Sequence, residues 1–303
     1  ISDQSSCESS PILGTWNGVD TCTVSSLTVN SGDSVTIDSG VTLVNLGGTG
    51  SITNNGEIIN NGYIANGAIS ILANNGTINN SGTISNDNGS FINNIGSIII
   101  NNGTIQNRFA GTITNNGTIN NIIAIYNYDT GTIINNLGGT IINNLGSFIV
   151  SYSEYSITNN GTITNTGNIT INNINASFTN TGTITTSGTI YIYGAFTNTG
   201  TIDNSGTITN TLITNNSGTI YNSLGTIDNQ ATFTNSGTID NTGGIIDNQC
   251  GAVYSGTAPT GNSINNIACP VNTVISDQSS CESAPISGVW DIGTSTCTVS
   301  SLT

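Results

Sequence analysis

The chain has 303 residues, one Arg (Arg108), no Lys, no His and sixteen acidic residues, for a formal charge of −15. That inventory excludes Ser-His-Asp and Lys-dependent nucleophilic catalysis, and it leaves no basic surface to neutralise phosphates or anionic lipid, so neither nucleic acid nor membrane insertion is expected. Only 6% of residues are charged and 35% are hydrophobic, a profile that predicts a folded chain and not a disordered acidic tail.

Residues 1–28 carry Cys7, Trp16 and Cys22 ahead of the alternating run Val29 to Ile37, and read as a Cys/Trp junction or cap. No apolar run approaches the roughly twenty residues of a membrane helix, and no basic segment followed by an apolar one opens the chain, which therefore reads as mature and soluble. The remaining cysteines also fall as near neighbours, Cys250 with Cys269 and Cys281 with Cys297. Local disulfides formed in an oxidising compartment are expected, with connectivity left open by spacing alone. Structural zinc is not expected, because CxxC spacing and His are both absent.

Residues 29–250 are dominated by self-similarity. Gly-Thr-Ile-x-Asn recurs at Gly76 to Asn80, Gly111 to Asn115 and Gly237 to Asn241, and Phe-Thr-Asn-Thr-Gly-Thr-Ile at Phe178 returns at Phe196. Short units such as Gly76 and Gly82, or Gly200 and Gly206, leave room for one strand and one bend. Alternation of β-branched and polar residues, broken every few positions by Gly, has period 2 and excludes helix. Three strand-and-bend segments per repeat predict an all-β, three-sided parallel β-helix (β-solenoid) of about ten coils, each of roughly 18 to 22 residues, in a stack about 50 Å long. In Thr-Ile-x-Asn the pleat puts Ile and Asn on one face. Ile must face inward, so Asn does too, and its amide is sustainable there only in a ladder with its copies about 4.8 Å away. The Gly after Asn is expected to supply a positive φ at the corner.

The Gly-Thr-Ile-x-Asn units resemble those of secreted β-helix repeat proteins of microbial surfaces, among them filamentous adhesins and archaeal extracellular filament proteins. The resemblance spans about residues 23 to 250 and implies an extracellular, cell-surface setting and a structural role.

Residues 251–274 read as a disulfide-closed linker. Residues 275–303 then repeat residues 1–28 with one residue inserted, so that Cys281 matches Cys7, Trp290 matches Trp16 and Cys297 matches Cys22. Either the chain is a window on a longer tandem array, or its last segment docks on the first coil of another copy. Both readings give head-to-tail association of copies of itself.

Few side chains remain for chemistry. Asp228 and Asp247 follow Ile equivalently in successive repeats and should stack on the outer surface, where a solvated pair is favoured over a glycosidase pair. Together with Asp203 and Asp240 they are weak candidates for calcium, although the Gly/Asp-rich nonapeptide of calcium-binding β-rolls is absent. No other metal and no cofactor is expected. Asn75, Asn79, Asn88, Asn102, Asn116, Asn160, Asn168, Asn175 and Asn215 begin Asn-x-Ser/Thr sequons and are glycosylation candidates wherever they lie outside the ladder. Ile134, Ile142, Ile98 to Ile100 and Tyr126, Tyr128, Tyr152, Tyr155, Tyr191 and Tyr193 exceed what one-in, one-out alternation buries. They face outward as a stripe suited to lateral packing or adhesion, or bulged coils bury them. The expected function is a non-enzymatic structural subunit or repeat block of a filament, stalk or adhesin, with glycans or neighbouring surfaces as further partners. A carbohydrate-binding or carbohydrate-cleaving β-helix is the alternative, followed by an ice-binding solenoid.

Overall fold

The computed structural model describes residues 1–152, 154, 157–269, 289–291 and 294–298. The chain divides into two compact units, Ile1–Asn266 and Ile267–Thr303. The first unit is a parallel β-solenoid of about 12 turns. Its three sheets are continuous stacks: a first face of 14 strands that includes Thr21–Val24 and Thr42–Asn45, and second and third faces of 12 strands each that include Ser26–Val29 and Ser34–Ile37. Successive strands in the chain belong to the first, second and third face in turn, and each pairs in parallel with its counterpart one coil later, as Thr77–Asn80 does with Ile98–Asn101.

The sequence alternation is realised strand by strand. Thr118–Asn121 and Thr162–Asn165 bury the second and fourth residues and turn the first and third outward. Each face thus adds one apolar side chain per rung to a continuous core, such as Leu43, Ile64, Ile84 and Ile105 on the first face. The second face carries Phe178 over Phe196, ring centroids 5.1 Å apart. Thr214 follows Phe196 in that column, fully inside, and its hydroxyl has no partner.

Three expectations are corrected. The turns number about 12 where about ten were expected, because parallel pairing begins at Thr21 and continues through Val253–Gly256, Thr260–Gly261 and Asn265–Asn266. The first of those strands lies inside the stretch read as a junction and the last three inside the stretch read as a linker. Rung-to-rung offsets also reach 24 residues at Asn135 and Asn159, against 18 at Asn180 and Asn198, because some corners have four residues and others two.

The third correction concerns glycine. Gly76, Gly82, Gly200, Gly206 and Gly218 follow ladder corners but none has a left-handed φ. A Cβ on Gly200 would collide with the carbonyl oxygen of Gly182 one coil below, and one on Gly218 with that of Gly200. Close approach of stacked backbones, and not φ, selects glycine there. Left-handed glycines occur instead in the longer corners, at Gly96, Gly138 and Gly146.

The surplus isoleucines, Tyr126 and Tyr191 lie on regular strands, whereas Tyr128, Tyr152 and Tyr193 each follow the last residue of a strand, at a corner. Ile134 and Ile142 occupy outward positions of Thr132–Asn135 and Thr140–Asn143 and are half-buried, Ile98 is exposed, and Tyr152 and Tyr193 are exposed. Tyr155 lies outside the described residues. In the second unit, Val289–Asp291 pairs antiparallel with Thr296–Thr298.

Candidate functional site

The inward asparagines form three columns of amides, one per face. Asn54 Nδ2 donates to Asn74 Oδ1 at 2.7 Å, Asn74 to Asn93 at 2.8 Å, Asn93 to Asn115 at 2.7 Å and Asn115 to Asn135 at 2.7 Å. The second N–H of most of these amides reaches a backbone carbonyl of the next coil, as Asn54 does with Thr77 at 2.8 Å and Asn60 with Thr83 at 3.0 Å. Wherever a column runs unbroken, each rung is therefore tied to the next by side chain as well as backbone, and a slip of two residues would bring an amide against isoleucine.

The ladders are polar, each amide donating toward the C-terminal end. Their first members, Asn45, Asn54 and Asn60, consequently have Oδ1 atoms buried without a partner. The residues one rung earlier are Val24, Val29 and Ile37, which have nothing to donate. Each orphaned acceptor costs about 1–3 kcal/mol, so the stack starts at a penalty that its continuation must offset. At the far end, Asn235 and Asn241 donate to the carbonyls of Thr257 and Asn262, and Asn248 to Asn266 Oδ1 at 3.0 Å. The first-face ladder is broken in its middle, where the Asn127 amide donates to the Gly131 carbonyl of its own coil at 2.7 Å, its one side-chain link to the next rung is Ser151 Oγ at 3.4 Å, and Ile171 and Ile192 occupy the following positions.

The N-terminal segment closes the start of the stack. Asp3 caps a short helix, Gln4–Glu8, accepting from the Ser6 N–H while the Ser6 hydroxyl accepts from the Asp3 N–H. That helix was not foreseen, although Asp3 and Ser6 stand at capping-box spacing. It brings Cys7 to Cys22, and the two form a disulfide with Cα atoms 5.6 Å apart. Gly14 lies so close that a Cβ would press on both sulfurs. Thr15–Trp16 then pairs antiparallel with Thr21–Val24, covering the edge of the first face. Ile1 bonds to the backbone of Thr36 and Asp38 beside the third.

The 15-residue separation of Cys7 and Cys22 sets the expected effect of removing the bond. Cys7→Ser/Cys22→Ser should lose about 3 kcal/mol, confined to the first coils because a solenoid transmits stability only between neighbours. Hydrogen exchange that loosened uniformly along the stack, or not at all, would contradict this.

In the second unit the antiparallel pair sets Trp290 opposite Cys297, the same register in which Trp16 stands opposite Cys22. The repeated sequence thus forms the same antiparallel pairing at both places. Cys250, Cys269 and Cys297 are disulfide-bonded, and no cysteine among the described residues is free; Cys281 lies outside them. This usage fits an oxidising environment.

Asp228 and Asp247 do stack in register on the outside of the first face. Amides surround them: Gln230 and Gln249 each donate to Asp228 at 2.6 Å, and Asn265 to Asp247 at 2.9 Å. Asp203 and Asp240 are on the third face and separated from each other by Tyr221, so the four acids do not form one column. Hydrogen bonds from the Thr242 hydroxyl and backbone hold the Asp240 carboxyl below its ordinary range. None of the nine sequon asparagines is a ladder residue. Asn75, Asn88, Asn102, Asn175 and Asn215 are exposed, whereas Asn79, Asn116, Asn160 and Asn168 are partly covered.

One cluster escaped sequence reading, since its members are scattered from Tyr63 to Tyr152 and meet only through the coil register. Arg108 bonds Asp87 through two nitrogens, Nε to Oδ1 at 2.7 Å and Nη2 to Oδ2 at 2.8 Å. Burial of the Asp87 carboxyl opposes its ionisation, but hydrogen bonds from Arg108 and Ser85 outweigh that and keep its pKa below normal. Arg108 also stands over the Phe109 ring at 5.9 Å. Beside it, Tyr126, Tyr128 and Tyr152 stack, with centroids 5.6 and 5.4 Å apart. Burial, with Tyr126 and Tyr152 as neighbours, raises the Tyr128 hydroxyl.

No family model, curated protein or solved structure matches the chain. Among the described residues no helix is long and apolar enough to cross a membrane.

Proposed function

We propose that this chain is a structural block of an extracellular filament, stalk or adhesin, joined head to tail through the Cys/Trp junction, and that it is not an enzyme. The observation that carries this reading is the recurrence of the junction hairpin, Trp16 opposite Cys22 and Trp290 opposite Cys297, on either side of the solenoid in the sequence. In the first copy the strand Thr21–Val24 leaves the hairpin as the first parallel rung of the stack. The equivalent strand of the second copy has the sequence to begin another.

The mechanism is mechanical. Parallel backbone ladders, three columns of amides and the disulfide junction resist extension together, and the disulfides favour an oxidising, extracellular setting. The partner in assembly is another copy of the block, and neither a cofactor nor a metal takes part.

Negative-stain microscopy of the native material should reveal fibres whose axial repeat is about 60 Å per block plus the junction, from about twelve rungs at one strand spacing each. Intact mass after reduction then separates subunits of the chain's 30.9 kDa from one continuous tandem polypeptide. Isolated, unbranching particles of a single block at every concentration would overturn the proposal.

A further inference from the structure

The edge between the first and second faces departs from the rest of the stack over four successive coils. Its corner residues Ile69, Asn88, Phe109 and Asp129 all have left-handed φ, between 53 and 64°, without being glycine. For β-branched Ile and bulky Phe this is a strained conformation, held by the surrounding chain. The corners are tied together: the Ile69 N–H bonds the Asn88 carbonyl, the Asn88 N–H the Arg108 carbonyl, and the Phe109 N–H the Asp129 carboxylate at 3.3 Å. The chain's only basic side chain, Arg108, sits on this edge.

Between these corners lies an open depression of about 360 Å³, lined by Gln106, Arg108, Phe109, Tyr128 and Asp129. That is within the size range of small-ligand sites. Phe109 is 55% exposed, and Tyr152, which ends the tyrosine stack, is 42% exposed. The Gln106 amide and Arg108 Nη1 make no hydrogen bond with the described residues, so both donors are available to a ligand, with the Asp129 carboxylate as an acceptor beside them.

We propose that this depression is a binding site for a neutral saccharide. Asp87 already neutralises Arg108, and Asp129 and Glu154 lie nearby, so the locality is negative and repels anionic ligands. A simple cation would need the acids and rings but not the unengaged donors. Dry packing against another fibre would strand those same donors. A ring of hydroxyls over C–H groups uses all of it: aromatic surface for the C–H face, planar amide and guanidinium donors and a carboxylate acceptor for the hydroxyls. The site lies within a single solenoid and is independent of head-to-tail assembly.

The test is calorimetry and saturation-transfer NMR on the full unpolymerised chain, with cellohexaose and chitohexaose as probes and polygalacturonate and tetramethylammonium as controls. At least one neutral probe should bind with a Kd of about 1 mM or tighter, and neither control should. Gln106→Ala and Phe109→Asn, the latter because Asn tolerates left-handed φ, should each weaken binding about ten-fold, whereas Tyr191→Ala on the same face should not. Circular dichroism verifies that each variant retains its strands. Failure of both neutral probes, preference for either control, or unchanged affinity in both site variants would overturn the proposal.

Discussion

Asn115→Asp is expected to lower stability by about 4 kcal/mol at neutral pH, while Asn116→Asp next to it should change stability little. Asn115 is fully buried, accepts from Asn93, and donates to Asn135 Oδ1 at 2.7 Å and to the Thr140 carbonyl at 3.0 Å. A carboxylate keeps the first bond, loses both donations and sets its charge against two oxygens. Asn116 is outward and serves only as an acceptor for Asn136 Nδ2 at 2.8 Å, a role a carboxylate fills.

The sign of the pH dependence follows from burial, which raises the folded pKa of the new carboxyl above its unfolded value of about 3.9. The protonated form can donate once, so the Asn115→Asp protein should be least impaired below about pH 4. Its stability should fall as pH rises from there through the folded pKa. Denaturant unfolding of both variants across that range is the measurement, with hydrogen exchange in Thr112–Asn115 and Thr132–Asn135 locating the defect. Equal stability of the two at neutral pH would show that the ladder contributes nothing.

Gly200→Ala should cost about 3 kcal/mol, more than Gly138→Ala. The added methyl at Gly200 meets the carbonyl oxygen of Gly182, a backbone atom that cannot rotate aside. Relief would require the coils to separate at that corner, which stretches the adjoining amide bonds from Asn180 to Asn198 and from Asn198 to Asn216, both 2.7 Å. At Gly138 a Cβ points into open space and only the left-handed φ is penalised, by about 1–2 kcal/mol. Thermal unfolding compares them directly, and a Gly138 variant as damaged as the Gly200 one would refute close approach as the reason for glycine.

Much of the fold was legible because its decisive pattern is local. Ile and Asn two positions apart on a pleated strand must share a face whatever else the chain does, and the inward amides follow from that parity. The Cys/Trp repeat was visible by inspection, but the antiparallel pairing its two copies share, Trp16 with Cys22 and Trp290 with Cys297, came only from the structure. Corner lengths were less legible, since Asn94 to Ser97 and Asn116 to Gly117 turn the same edge with different numbers of residues.

What alternation along the chain could establish was the class of fold, the inward residues and the stacking of amides, all properties of neighbours in sequence. Vertical relations belonged to the three-dimensional structure alone: carbonyls beneath the corner glycines, acceptors orphaned at Asn45, Asn54 and Asn60, and Arg108, Phe109 and the tyrosines gathered on one edge. The physical reason is that a residue's upper and lower neighbours lie 18 to 25 positions away, a distance set by the summed lengths of three corners and known only once the coil is wound.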